Sequence, residues 1–386
     1  MKVLFFAEGA TLAHVARPWL LAEALSKEGC EVVFACPPAA CWITRGSTIE
    51  VVPLRTQPPE LFARRLQRGQ PLYDLATLEA YLRADLALLD AHRPDLVVGD
   101  FRLSLSVGAR LAKLPYITLC DAYWAPETAF EPVVPVLPLT RFTPIPLAQA
   151  IFRLAAPLAF RAHAAPMEAL RRAHGLPGFD GDLRRSYTDA DLRLFANPQE
   201  LFPSTRTHEG ARFIGPMAWS PDMPLPDDFP DEPDLVFVSM GSSGSVEVLA
   251  HLFAALTRLR LPAVVATAGR PIPPIPSGSG IRSYDFVPAR AAIAHSRMVV
   301  CNGGSPVTNL AYLAGKPLLG IPANMDQLMN MRALVRAGVG QSIRADRAAP
   351  RALEQALKTP PAAPEPTVAD DPATLGQRLL ALRRWS

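Results

Sequence analysis

The sequence predicts an α/β protein built from two consecutive parallel-sheet domains, and three observations carry that expectation. Short continuous apolar runs, too unbroken for half-exposed strands, alternate with segments of helical spacing. The alternation occurs twice, on either side of a stretch rich in proline and acid at 220–233. The length, 386 residues, suits two domains at roughly 150 residues each.

Composition narrows the function classes. Hydrophobic residues make up 49% and charged residues 19%, enough to bury full cores. A formal net charge of +3, from 39 basic and 36 acidic residues, is too balanced to argue for nucleic acid or an anionic membrane by bulk attraction. It leaves room for a local basic site for a phosphorylated ligand. The 5 cysteines are odd in number and form no C-x-x-C pair, so neither zinc nor a disulfide framework is expected. The opening run Val3-Leu4-Phe5-Phe6-Ala7 meets Glu8 at once, too soon for a secretory signal. No uncharged run of about 18 apolar residues occurs, so no membrane span is expected. With this cysteine usage, the expected location is the cytoplasm.

In the first domain, 2–7 reads as a buried strand, 9–13 as a loop of small residues, 18–26 as a helix ended by Gly29, and 31–35 as the next strand. A long helix at 72–91, a strand at 96–98 running to Asp100, a helix at 103–111 and a strand at 116–119 repeat the order. Residues 124–203, rich in proline and arginine, read as a helical excursion that includes 148–172; strands at 192–196 and 213–214 close the domain. The expected boundaries are 1–219 for this domain, 220–233 for the linker and 234–366 for the second domain, with a last helix in 367–386. Second-domain strands are expected at 235–239, 263–266, 281–286, 298–301 and 317–321, with helices at 246–256, 306–314 and 326–337. Ligands of such sheets sit at the carboxyl ends of the strands.

The candidate residues fall at those ends. His14, in Ala13-His14-Val15-Ala16-Arg17-Pro18, starts a helix, whose positive N-terminus favours the neutral imidazole that a general base must be. Asp100 ends a strand of the same sheet and would fix the tautomer of His14. Simple roles at two helix starts fit both residues equally well. In the second domain, Cys301-Asn302-Gly303-Gly304-Ser305-Pro306 follows a strand and opens a helix, with Ser305 suited to the N-cap. Ser239-Met240-Gly241-Ser242-Ser243-Gly244 repeats the scheme, so a diphosphate held from two sides is expected. Neither turn is a P-loop or a strict G-x-G-x-x-G. Asp326-Gln327 opens another helix, where a carboxylate and an amide suit sugar hydroxyls; Asp326 equally suits a cap.

Together these residues resemble the GT-B glycosyltransferases of the UDP-glycosyltransferase and macrolide-glycosyltransferase type, over nearly the whole chain. The N-terminal pattern G-H-x-x-P/R reads Ala13-His14-Val15-Ala16-Arg17 here. The C-terminal pattern reads Asn302-Gly303-Gly304, Gly315-Lys316-Pro317, then Pro322-Ala323-Asn324-Met325-Asp326-Gln327-Leu328-Met329-Asn330, without a gap. Phe286-Val287-Pro288 is similar to the segment near the nucleobase, with core packing the other reading of Phe286. Phe213-Ile214-Gly215-Pro216 is similar to the usual close of the first domain.

The resemblance implies two Rossmann-like domains facing across a cleft and an inverting, metal-independent transfer from a UDP- or dTDP-sugar to a hydroxyl of a small acceptor, as in bacterial natural-product glycosylation. It implies His14 as base supported by Asp100. Gly241, Ser242, Gly303, Gly304 and Ser305 would hold the diphosphate, Asp326 and Gln327 the sugar, and the last helix would pack back on the first domain. No cofactor is implied beyond the nucleotide sugar. Phe101, Tyr123, Trp124 and Phe130 follow strand ends on the His14 side and are candidate acceptor walls, with ordinary packing as the other reading. The chain departs from the pattern at Ala13, Asn302, Val307 and Leu310, where the family has Gly, His, Thr/Ser and Glu. Arg270 or Arg290 would be the cation that offsets Asn302, or a solvated surface group. Two other readings share these residues: a non-catalytic glycosyltransferase partner, and a nucleotide-sugar epimerase, against which the pattern around His14 argues.

Overall fold

The computed structural model describes residues 1–241, 244–366 and 376–377. The chain forms two compact units. One comprises Met1–Phe130 and Arg153–Met217; the other comprises Glu131–Phe152 and the chain from Ala218 through the second sheet.

The first unit is a seven-stranded parallel sheet, ordered β3-β2-β1-β4-β5-β6-β7. Its strands are β1 (Lys2–Ala7), β2 (Glu31–Cys36), β3 (Glu50–Pro53), β4 (Leu96–Asp100), β5 (Tyr116–Cys120), β6 (Leu192–Phe195) and β7 (Ala211–Phe213). The helices are α1 (Ala13–Lys27), α2 (Pro59–Gln67), α3 (Leu75–His92), α4 (Leu105–Leu111), α5 (Pro138–Phe142), α6 (Ile145–Ala173) and α7 (Leu183–Thr188), of which α5 and the start of α6, through Phe152, count with the second unit. The strands are continuous apolar runs because both faces are covered. Leu4 and Phe6 point to a core shared with Leu89 of α3 and Leu105 and Ala109 of α4. Phe34 meets Trp19 of α1 edge to face at 5.0 Å.

Two features aim this sheet's functional end. Ala7 of β1 pairs with Asp100 of β4, which sets the two strand ends level. Gly99, one residue earlier, lets α4 close down: a Cβ there would lie 2.6 Å from Leu105 Cδ1. Helix α1 starts at Ala13, five residues before the expected 18, and carries Pro18 inside it. Proline has no N–H, so the His14 carbonyl lacks its usual partner four residues on.

The second unit is a six-stranded parallel sheet, ordered β10-β9-β8-β11-β12-β13. It contains β8 (Val236–Ser239), β9 (Ala263–Ala266), β10 (Ile281–Tyr284), β11 (Met298–Cys301), β12 (Leu318–Gly320) and β13 (Gly340–Ser342). Its further helices are α8 (Val248–Leu259), α9 (Ala289–Ala294), α10 (Ser305–Leu313), α11 (Met325–Arg336) and α12 (Pro350–Lys358). Leu252, Phe253 and Leu256 of α8 and Leu353 and Leu357 of α12 cover one face.

The units are not separated by one cut at 219. Residues of the 131–152 stretch are tied into the second unit by Arg344, which donates to the carbonyls of Val134 at 2.6 Å and Pro135 at 3.1 Å. Val136 N–H donates to Ala323 O at 2.7 Å. The expected linker is also anchored there, with the Arg290 N–H donating to Ser220 Oγ and the Tyr284 hydroxyl donating to Asp228 Oδ1. The expected last helix lies outside the described residues, save helical Gly376 and Gln377; Gly376 lies against Ala24 and Glu28 of the α1 end.

Candidate functional site

In the first unit, the structure brings His14 and Asp100 together. His14 stands in the first turn of α1, and its Nδ1 lies 2.9 Å from Asp100 Oδ1. Arg17, one turn on along the same face, clamps the same carboxylate twice, Nε to Oδ2 at 2.6 Å and Nη2 to Oδ1 at 2.8 Å. Its Nη1 reaches Asp121 Oδ2 at 3.0 Å, beyond the end of β5. Asn197 orients that second acid, donating to Asp121 Oδ1 at 2.9 Å while accepting from the Ala122 N–H.

Asp100 is fully buried, while the His14 side chain remains 18% exposed. Burial alone would raise the Asp100 carboxyl; the Arg17 charge and the hydrogen bonds from Arg17 and His14 outweigh it and hold the group below the usual carboxylate range. Burial works against the Arg17 cation in turn, but Asp100 and Asp121 hold it well above its ordinary value. A depressed carboxylate contributes stability at pH above its unfolded value, and the contribution is lost as pH falls through the folded one. Acid unfolding of the wild type is therefore expected to steepen below about pH 4, and Asp100→Asn to flatten that limb. Identical acid limbs in the two proteins would refute it.

The aromatic candidates divide. Phe101 stacks on His14, with centroids 4.9 Å apart and planes 14° from parallel. It does so from a left-handed backbone conformation (φ +55°), which a bulky residue rarely adopts. Its ring meets Tyr187 at 5.2 Å, Tyr187 meets Trp124 at 5.3 Å, and Trp124 meets Phe130 at 6.2 Å. Phe101, Trp124 and Phe130 thus belong to one aromatic row, joined by Tyr187, which sequence reasoning missed. The Tyr123 ring meets Phe202 at 5.9 Å.

Beneath the row lies a charge cluster that sequence reasoning also missed. Arg102 is completely buried and donates to Glu8 Oε2 at 3.0 Å, to Asp85 Oδ1 at 2.9 Å and to the Arg55 carbonyl. The Tyr81 hydroxyl donates to Glu8 Oε1 at 3.1 Å, and the Arg102 guanidinium lies 3.6 Å over the Tyr81 ring. Burial pushes the Glu8 carboxyl up, and Arg102 and Tyr81 offset only part of it. The available signal was Glu8 itself, a charge directly after a fully apolar strand.

In the second unit, Ser239 of β8 pairs with Cys301 of β11, so the two glycine turns leave the sheet side by side. Space for a side chain at Gly241 or Gly244 is limited by Asn302: added Cβ atoms would meet its Nδ2 at 3.4 Å and its Cβ at 2.8 Å. Arg270 donates to the carbonyls of Gly241 at 3.0 Å and Gly244 at 2.8 Å, bracketing the turn. Arg270 therefore stands at this turn, whereas Arg290 is held on the Ala218 carbonyl. Ser242 lies outside the described residues.

The turn before α10 differs from expectation in two ways. Gly304, not Ser305, occupies the N-cap position, and Ser305 is the first helical residue. The cause is an Asx turn: Gly304 N–H donates to Asn302 Oδ1 at 3.0 Å. Gly303 N–H is engaged with Cys301 Sγ at 3.2 Å. The glycine N–H groups expected to cradle an anion are thus spent inside the turn. The helix presents the first-turn N–H groups of Ser305 and Val307 instead, since Pro306 has none. Asn330, the last residue of the long motif, locks the arrangement by donating to Gly303 O at 2.9 Å and Thr308 Oγ1 at 2.8 Å.

Gly303 has φ +82°, and a Cβ there would lie 2.5 Å from Met331 Cγ. Gly303→Ala is expected to cost about 1–3 kcal/mol of stability through strain and overpacking. It should also weaken nucleotide binding, read by thermal unfolding and titration; wild-type values in both would remove Gly303 from the site.

Asp326 and Gln327 lie in the first turn of α11, capped by Asn324. Gln327 is buried, and its Oε1 accepts from the N–H groups of Ala323 at 2.9 Å and Asn324 at 3.4 Å. Its carbonyl oxygen thus completes a capping box. Asp326 is partly exposed at the positive end of the helix. Phe286 is half exposed just beyond edge strand β10.

The two parallel-sheet α/β units, with the similarities that follow, place the chain among glycosyltransferases of the GT-B class. Among solved structures, the glycotransferase of kitacinnamycin aligns with TM-score 0.67 at 20% identity, covering 99% of this chain and 94% of that one. The spinosyn rhamnosyltransferase complexed with thymidine diphosphate aligns with TM-score 0.63 at 20% identity, covering 99% and 91%. A PGL/p-HBAD biosynthesis glycosyltransferase of Mycobacterium tuberculosis is 39% identical over 361 residues, 92% of this chain and 84% of that protein. A PGL/p-HBAD biosynthesis rhamnosyltransferase of Mycobacterium bovis is 39% identical over 350 residues, 90% and 77% of the two chains. The chain belongs to the PGL/p-HBAD biosynthesis glycosyltransferase family. One relative from Mycobacterium bovis, 38% identical over 260 residues (67% of this chain and 71% of that protein), is described as inactive. No protein-family model matches the chain.

Proposed function

We propose that the chain is an inverting, metal-independent glycosyltransferase that moves a sugar from a UDP- or dTDP-sugar to a hydroxyl of a small acceptor, with His14 as general base. The observation that carries this reading is the His14–Asp100 contact at 2.9 Å, with Asp100 buried and held ionised. An ionised carboxylate at Nδ1 accepts the Nδ1–H, which leaves the lone pair on Nε2. Nε2 takes the acceptor's proton as its oxygen bonds the anomeric carbon. The bond from that carbon to the diphosphate breaks, and its electron pair leaves with the diphosphate. The α10 N-terminus and the side chains of the turn stabilise the departing charge, so no metal is required for it.

The test is ligand-detected binding against UDP-, dTDP- and GDP-sugars, followed by mass spectrometry of products formed from candidate hydroxylated acceptors. Binding of UDP- or dTDP-sugars with transfer is the expected result; no binding of any of the three would sink the reading.

Asn302 favours a second reading, a non-catalytic partner of another glycosyltransferase. The residue that would carry charge at the donor site is a neutral amide whose oxygen is spent on Gly304. Nucleotide binding without transfer, unchanged by Asn302→His, would support it; transfer by the wild type would exclude it.

A further inference from the structure

Helix α6 is apolar on the wrong side. Among the described residues, six of the twelve exposed large hydrophobic side chains fall within residues 139–158: Leu139, Phe142, Leu147, Ile151, Leu154 and Leu158. The last four recur on α6 at i, i+4, i+7 and i+11, which places them on one face. Leu154 is 86% exposed and Leu158 76%. In the part of α6 that carries these leucines, through Leu158, the buried positions are the small residues Ala148 and Ala156, while the C-terminal part buries Met167 and Leu170 in the ordinary way. A surface helix in water places its large apolar residues inward; the N-terminal half of this one presents them outward.

The charge along this stretch has one sign; on α6, Arg161 flanks the leucine row, and Arg153 lies about 130° round the helix from it. From 132 through 167 there is no aspartate or glutamate, while Arg141, Arg153 and Arg161 are all exposed. Long arginine side chains beside exposed leucines can lay their stems along apolar surface and hold their guanidinium groups at the level of phosphates. The two features together are those of a helix lying in a membrane interface.

We propose that this face of α6 docks on an anionic lipid bilayer, its leucines at the acyl boundary and its arginines on headgroup phosphates. Charge selects this occupant over a second copy of the chain. Pairing two copies through the stretch would set arginines against arginines, with no carboxylate between 132 and 167 to match them. The near-neutral formal charge of the whole chain hides this patch, because its acids lie elsewhere in sequence.

The experiment is co-sedimentation of the full chain with vesicles of phosphatidylcholine alone or mixed with phosphatidylglycerol. Binding to the mixed vesicles is expected, weakening as salt is raised. The double substitution Leu154→Ser with Leu158→Ser should weaken that binding by about tenfold or more, with an unchanged melting temperature because both side chains are exposed. Arg153→Gln with Arg161→Gln should erase the preference for anionic vesicles. No binding of the wild type to the mixed vesicles would overturn the proposal. So would binding that the leucine substitutions leave intact. A dimer on size exclusion that those substitutions convert to monomer would assign the face to a second copy instead.

Discussion

Replacing His14 by alanine is expected to lower kcat by about two to four orders of magnitude, the usual contribution of a positioned general base. The donor KM should change little, because the proposed diphosphate site is at the turns before α8 and α10, not at His14. A hydroxyl is a poor nucleophile until its proton has somewhere to go, and the lone pair at Nε2 provides that place. The fold should tolerate the change, because Asp100 keeps both Arg17 bonds when the imidazole is removed. Asp100→Asn should also lower kcat, because an amide that donates to Nδ1 turns the lone pair inward and leaves Nε2 protonated, unable to take the acceptor's proton. Product formation followed by mass spectrometry, with a donor from the binding panel, reads both variants. A His14→Ala protein that transfers sugar at the wild-type rate would falsify the assignment of the base.

Arg102→Met is expected to destabilise the first unit by about 3–5 kcal/mol, because it leaves two carboxylates in the core without their cation. Glu8, Asp85 and Arg102 are all fully buried, and methionine replaces the apolar stem of the arginine but none of its donors. The loss should depend on pH in a direction that identifies its cause. The Glu8 carboxyl is already raised, so the folded state holds its proton more tightly than the unfolded state does. Such a group costs stability as pH rises above its unfolded value of about 4.5. Without Arg102 the folded value rises further, so the variant should lag the wild type more at pH 8 than at pH 5. Chemical denaturation at the two pH values checks this. A loss equal at both would point to packing alone, and the double variant Glu8→Gln with Arg102→Met should recover part of any pH-dependent deficit.

The parts of the structure legible in the sequence share one property: they depend on neighbours close in the chain. The apolar runs at 2–7, 31–35, 96–98 and 298–301 are strands because each is unbroken and bounded by turn residues. The glycine turns, the α11 motif and His14 at a helix start were readable for the same reason. Short polar strands were not. Glu50–Pro53 carries a glutamate and a proline, and Gly340–Ser342 has one apolar partner in three residues at most, so neither has a period to read. The start of α1 was hidden by Pro18, which normally marks a first turn but here sits inside.

What the sequence determined by itself is the class of fold, two parallel sheets with residues of the right chemistry at their carboxyl ends, because hydrophobic periodicity and turn chemistry act over a few residues. Only the tertiary structure decided which charge answers which. Arg17 meets Asp100 across 83 positions and Arg102 meets Glu8 across 94, and no local pattern encodes such pairs. Tertiary packing likewise sent Tyr123 to Phe202, enlisted Tyr187 beside Phe101, and turned the leucines of α6 outward, since a side chain's environment is set by whatever the fold brings against it.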